Sequence, residues 1–169
     1  RLCAQKNQLR LLDIFEEIHR LRPESVLLLV GRGDQEEAVR CKAEALGLTD
    51  AVRLLGVRDD VPRLLSAFDT FVFPSTHEGL PFTLIETQCN GLPAVCADTV
   101  TPLVKLGEDV AFLSLSDSNV HWAHKAIEAA ERGHNPDGAR IVADAGYDID
   151  REAARLRDYY INAIKAGAK

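Results

Sequence analysis

Methionine is absent from this sequence, and tryptophan occurs once. With Arg1 in first place and in mid-pattern, that absence reads as a piece of a longer polypeptide, so a targeting or membrane segment outside it stays open. No apolar run comes near the roughly 18 residues that a membrane span requires, and "RLCAQKNQ" has no signal-peptide core. Cysteine is sparse. The four lie at 3, 41, 89 and 96, with no C-x-x-C pair and no disulfide-dense pattern, which favours a reducing compartment. Basic residues are in deficit, 20 against 26 acidic ones for a net charge of -6, so there is no cationic stripe for a nucleic-acid backbone and no nucleic-acid partner is expected.

What is present is the composition of an ordinary globular domain, 46% hydrophobic and 27% charged over 169 residues. That length suits one domain able to bury about two-thirds of its unfolded surface. Short apolar runs alternate with amphipathic segments. "NQLRLLDIFEEIHRLRP" carries Leu11, Phe15 and Ile18 at helical spacing and stops before Pro23. "SVLLLV" (25–30), "VRLLG" (52–56), "TFVFP" (70–74), "PAVCA" (93–97) and "VAFLSL" (110–115) read as strands. Helices are expected over 35–47, with Gly47 as its cap, over 59–68, from Pro81 onward, and near 119–132, 136–145 and 151–165. The alternation predicts an α/β fold, a Rossmann-like parallel sheet with helices on both faces, because parallel neighbours need crossovers.

Ligands of such sheets bind at the carboxyl ends of the strands, where loops run into helix N-termini. "STHEGLPFTLIETQCNGLPAV" (75–95) occupies such a place. Pro81 suits the first helical turn, since its missing N–H has no helical partner there. The free amides and the positive end of the helix dipole make an anion site near Gly79 and Leu80. Glu78 sits at that mouth, and Glu86 lies about 7.5 Å further along the helix axis. Two carboxylates at different depths could accept bonds from two sets of hydroxyls, as a sugar and a ribose joined by a diphosphate present them. A carboxylate favoured by the dipole alone, and a glutamate on a solvated helix face, are the plainer readings of the same two residues.

"PSTHEGLPFTLIETQCNGLPAV" resembles the donor-site signature of retaining GT-B glycosyltransferases of glycosyltransferase family 4: Pro-Ser, Glu-Gly, a second Glu after seven intervening residues, then Gly-x-Pro. "RLCAQKN", "LLLVGRGD" and "LGLTDAVRLLGVRDDVPRLLSAFDTFVFPS" follow the family's order and spacing, and "GVRDDV", "ADTVT", "FLSL" and "AGYDID" are most similar to bacterial enzymes of capsular and exopolysaccharide assembly. The resemblance implies that residues 1–169 are the C-terminal, nucleotide-sugar-binding half of a GT-B fold, with the N-terminal acceptor domain and the strand ahead of Arg1 outside this chain. It implies transfer of a sugar from a nucleoside-diphosphate donor, with retention, to a glycan or lipid-linked acceptor. This half alone would bind but barely transfer. Glu78 would contact the sugar, Arg1 and Lys6 would neutralise the diphosphate, Glu86 would hold the ribose, and Gly79, Leu80, Pro81 and Phe82 would face sugar and diphosphate. Val57 and Arg58 would lie near the base. No cofactor or metal is implied, and the full-length enzyme would be cytoplasmic or peripheral at the inner face of the membrane.

Other pieces carry less. Asp148-Ile149-Asp150 reads as helix capping with Asp150 at the cap, not as a metal-binding D-x-D. "GRGDQE" lacks the third glycine of a dinucleotide fingerprint, Glu36 standing in its place, and reads as a strand-to-helix turn. His121 and His124 share a helix face without a completing ligand, and His77 has no nucleophile partner. Trp122 and Phe112 are expected in the core. Two alternatives remain on sequence alone: a nucleotide-sugar 2-epimerase of GT-B fold, and a non-catalytic nucleotide-sugar-binding module.

Overall fold

The apolar stripe of the first amphipathic segment organises the molecule. In the computed structural model, which describes residues 1–167, helix α1 (Gln8–Leu21) buries Leu12 and Ile14 completely and Leu11 and Phe15 almost so. The last two residues of the domain expected over 1–169 lie outside the described residues. Each fully buried aliphatic side chain contributes about 1.5–3 kcal/mol of transfer free energy. Strand β1 (Leu27–Val30), helix α2 (Glu36–Ala45) and strand β2 (Val52–Gly56) follow. Next come α3 (Val61–Leu65), β3 (Phe71–Phe73), α4 (Phe82–Cys89), β4 (Ala94–Ala97) and β5 (Val110–Leu113). The chain closes with α5 (Asn119–Arg132), α6 (Gly138–Val142) and α7 (Ile149–Gly167).

All strand pairs are parallel, as the alternation predicts. They form two ladders, β1 with β2 and β3–β4–β5, not one continuous sheet. Leu27 faces Val52 in the first; Phe71 faces Ala94, and Ala94 faces Val110, in the second. The period of two along β4 divides the core. Val95 and Ala97 pack with Ile14, Trp122 and Ala129 of α1 and α5, while Ala94 and Cys96 pack with Leu84, Ile85 and Val142 of α4 and α6. Helices therefore cover both faces. Phe112 packs against the second of these clusters, and Trp122 is fully buried with its indole N–H donated to the Ser114 carbonyl at 3.0 Å, so both are core residues.

Helix ends depart from the sequence reading in three places, each for a local reason. The segment expected as one helix over 136–145 ends at Val142 and passes into a single π turn, because Gly146 takes a left-handed φ of 92°. The cap of α7 is Asp148, not Asp150. Its carboxylate accepts the amides of Asp150 and Arg151 at 3.0 and 3.2 Å, which puts the helix start two residues earlier. Pro81 stands just before α4 with extended ψ 103°, and its carbonyl accepts the Leu84 amide at 2.9 Å. Gly33 is needed for close approach, because a Cβ there would collide with the Leu2 carbonyl, consistent with "GRGDQE" as a turn.

No helix among the described residues is long and apolar enough to cross a membrane. Helix α7 leaves Ile149, Leu156, Tyr159 and Ile164 exposed. The cysteines differ sharply in setting. Burial pushes the Cys96 thiol up to about 12, Cys41 is exposed but raised by its hydrogen bond to Glu37, and Cys89 is exposed. A thiol reagent at neutral pH should modify Cys89 first, Cys41 more slowly, and Cys96 only on unfolding. Rapid labelling of Cys96 in the folded protein would contradict this packing.

Candidate functional site

A short 3₁₀ turn, Ala4–Lys6, ends on Asn7 in the left-handed conformation, φ 56° and ψ 43°. Asparagine tolerates this conformation because its short polar side chain can bond locally. Here its amide instead reaches the Pro74 carbonyl at 3.0 Å, at the carboxyl end of β3. Gln5 completes the junction: its side chain donates to the His77 carbonyl at 2.6 Å, and its own carbonyl accepts the Thr76 amide at 2.9 Å and the Thr76 hydroxyl at 3.2 Å. From the other side, the Thr99 hydroxyl donates to the Ser75 carbonyl at 2.7 Å, and Glu78 forms an isolated parallel bridge with Val100.

These bonds hold the loop 74–78 against the 4–7 turn and bring two sequence-predicted residues into contact. The Lys6 ammonium donates to Glu78 at 2.7 Å, with the Glu78 side chain only 9% exposed. Lys6 also lies 4.8 Å from the centroid of the Phe73 ring, a cation–π distance. A cation and a carboxylate so placed can bind an anion and a hydroxyl side by side.

The other expected residues fall into three groups. Arg1, Lys6 and Glu86 line the carboxyl end of one cavity, together with Thr83 of α4. Glu86 is exposed on that helix. Gly79, Leu80 and Phe82 are exposed around the start of α4, and Pro81 is buried. A Cβ at Gly79 would meet nothing within 4 Å, so the protein's own packing does not require glycine there and the space is open to a ligand. The first amides of α4, at Phe82 and Thr83, have no intrahelical acceptor.

Val57 and Arg58 lie outside that cavity lining, in the loop after β2. Arg58 makes a two-pronged ion pair with Asp60 at 2.8 and 2.9 Å, which holds the Asp60 carboxyl below its ordinary range. His77 is an exposed loop residue, and His121 and His124 are exposed on α5. No cluster of three or more metal-ligating side chains occurs among the described residues. Gln5, Asn7, Thr76 and Thr99 were not foreseen from sequence. Of these only Asn7 carries a local signal, since asparagine directly before a helical run favours a left-handed residue.

Comparison with known proteins gives the chain's family and fold. The family model described as "Glycosyl transferases group 1" matches residues 1–140. EpsF of Bacillus subtilis (strain 168), which carries the name of a glycosyltransferase, is 35% identical over 138 residues, 79% of this chain and 36% of its own length. The UDP-Gal:alpha-D-GlcNAc-diphosphoundecaprenol alpha-1,3-galactosyltransferase of Escherichia coli is 29% identical over 97% of this chain and 44% of its own. The chain thus spans less than half the length of both relatives. Among solved structures, Anabaena Alr3699/HepE in complex with UDP matches with a TM-score of 0.76 at 22% identity, covering 96% of this chain and 47% of that one, a likeness of fold.

Proposed function

From its membership of the glycosyl transferases group 1 family, to which this chain belongs, we propose that residues 1–169 are the C-terminal, donor-binding domain of a retaining family 4 enzyme. The full-length protein moves a sugar from a nucleoside-diphosphate donor to a glycan or lipid-linked acceptor in bacterial polysaccharide assembly. The acceptor is held by an N-terminal domain outside this chain. The observation that carries the reading is the Lys6–Glu78 pair at 2.7 Å, set at the carboxyl end of β3 beside the start of α4, where sheets of this class bind ligands.

In this reading the diphosphate takes Lys6 and Arg1 as counter-charges and the free amides at the start of α4 as hydrogen-bond donors. Glu78 accepts from sugar hydroxyls, Glu86 from the ribose, and the exposed Gly79, Leu80 and Phe82 flank the sugar with Pro81. Val57 and Arg58 serve the base, for which Arg58 would turn from Asp60. The bond between the anomeric carbon and the diphosphate oxygen breaks, the acceptor oxygen bonds to the same face of that carbon, and the acceptor proton leaves on the departing phosphate. Negative charge develops on the leaving group, where two cations and a helix terminus stabilise it without a metal ion.

The UDP in the Anabaena structure and the UDP-sugar in the name of the E. coli relative support a nucleoside-diphosphate donor. The test is the anomeric configuration of the product formed by the full-length enzyme, read by proton NMR from an α-linked donor. An α-linked product, with a rate unchanged by a chelator, is expected. A β-linked product would overturn retention, and loss of activity with the chelator would overturn the metal-free mechanism.

A further inference from the structure

Lys6 is flanked by the two residues that fix its place. Asn7 holds a left-handed φ of 56°, the only positive φ outside glycine among the described residues. Glycine would take that conformation without strain, so what asparagine adds is its amide, donated to the Pro74 carbonyl at 3.0 Å. Gln5, on the other side of Lys6, donates its amide to the His77 carbonyl at 2.6 Å. Pro74 and His77 belong to the short loop that leads into Glu78. Among the described residues a single backbone bond, from the Thr76 amide to the Gln5 carbonyl at 2.9 Å, joins these two segments, and side chains supply the rest of the junction. From the side of β4, the Thr99 hydroxyl holds the Ser75 carbonyl at 2.7 Å, and Glu78 itself bridges to Val100. The backbone of Glu78 is therefore fixed from both sides.

The contact so fixed is a cation on a carboxylate. Lys6 has three N–H donors; one reaches Oε1 of Glu78 at 2.7 Å, and the Phe73 ring centroid lies 4.8 Å from the ammonium. Among the described residues Oε2 of Glu78 has no hydrogen-bond partner, so it remains an acceptor. A carboxylate only 9% exposed is repelled by a diphosphate beside it. A nucleotide that carries its sugar offsets this, because the sugar puts O–H donors between the phosphates and Glu78 while Lys6 answers the phosphate. A nucleoside diphosphate without sugar brings charge and no donor. It draws Lys6 away and leaves Glu78 facing phosphate without a partner.

We infer that Gln5 and Asn7 are positioning residues that, by holding Glu78 on Lys6, make the donor site favour a sugar-loaded nucleotide over the nucleoside diphosphate left after transfer. The inference rests on the donor-site reading above. Its consequence extends to release of product. Once the sugar has gone, the nucleoside diphosphate faces a carboxylate with no hydroxyl partner, and the return of Lys6 to Glu78 favours departure. A looser brace lets Glu78 withdraw from sugar and phosphate alike. The loaded donor then loses an acceptor, while the product loses a repulsion, so the two ligands respond in opposite senses. A brace that served only to keep the loop folded would weaken both together.

Calorimetric titration of the full-length protein with UDP and GDP, and with UDP-glucose, UDP-galactose, UDP-N-acetylglucosamine and GDP-mannose, tests this. The native protein is compared with Asn7→Gly, which keeps the left-handed backbone and removes the bond to Pro74. The native protein should bind at least one sugar-loaded form. In Asn7→Gly the affinity for that form should fall by about tenfold, the scale of one hydrogen bond to a charged group, while affinity for its nucleoside diphosphate stays level or rises. In turnover, the donor KM should rise with no rise in the inhibition constant of the product. Gln5→Met, a change on an exposed side chain, should shift the ratio of the two affinities in the same direction, and it decides alone if circular dichroism shows Asn7→Gly unfolded. Equal losses for the two ligands, or no change in either, would overturn the inference while leaving the donor site standing. A native protein that binds a nucleoside diphosphate but none of the sugar-loaded forms would overturn it as well. Binding of none of the six compounds would overturn the donor-site reading and this inference with it.

Discussion

Replacing Lys6 with alanine should weaken binding of a nucleoside diphosphate by about 10- to 100-fold, the range expected when one charge-assisted hydrogen bond to phosphate is lost. The loss falls at the high end for a structural reason. Glu78, with a side chain 9% exposed and bonded to Lys6 at 2.7 Å, would remain as an uncompensated carboxylate beside the incoming phosphate. Glu78→Gln should act in the opposite sense on binding. It releases Lys6 from its partner, so affinity for the diphosphate alone is kept or rises, while transfer by the full-length enzyme falls because the sugar loses its acceptor. Combining the two substitutions should recover part of the affinity that Lys6→Ala removes. Calorimetric titration of the three variants checks this, with circular dichroism confirming that each is folded. Equal losses of affinity in Lys6→Ala and Glu78→Gln would mean that the pair only braces the loop.

The largest effect on stability is expected at Trp122. Its ring is fully buried among Ile14, Val95, Ala97, Leu113 and Ala129, where α1 and α5 meet β4 and β5, and its N–H satisfies the Ser114 carbonyl at 3.0 Å. Trp122→Ala removes the side chain, leaves a cavity and orphans that carbonyl, for a loss of about 3–5 kcal/mol. In a domain of this size that lowers the thermal midpoint by roughly 6–20 °C. Trp122→Phe keeps most of the packing and should lose distinctly less. Denaturant unfolding measures both, and a loss below about 1 kcal/mol for the alanine variant would show that this cluster collapses around the gap.

The core and the site were not equally legible in the sequence. Element type is plain wherever the apolar period runs long: Leu11, Phe15 and Ile18 mark α1, and the apolar runs at 25–30 and 93–97 mark strands, of which β4 is buried throughout while β1 buries only Leu29. Ends were less so, because they turn on single residues. Gly146 breaks the last stretch of one expected helix, and Asp148 caps the helix whose cap the sequence pattern assigns to Asp150. The division into two ladders could not be read locally, since strand order depends on which crossovers cover which face.

At the site, spacing identified Glu78 and Glu86, and the resemblance added Arg1 and Lys6. That Lys6 and Glu78 touch was not legible. They lie 72 residues apart, and their meeting depends on Gln5 and Asn7 binding the loop after β3. Arg58 pairs locally, with Asp60 two residues on.

Titration of the full-length protein with UDP, GDP and CMP, each with and without magnesium, and in parallel with the Glu86→Gln variant, tests the donor site most directly. One nucleoside diphosphate should saturate the native protein independently of magnesium, and its affinity should drop by about tenfold in the variant, the cost of one hydrogen bond from ribose to a charged group. Binding that is absent for all three nucleotides, or identical in the native and Glu86→Gln proteins, would contradict the assignment of this cleft to a nucleotide-sugar.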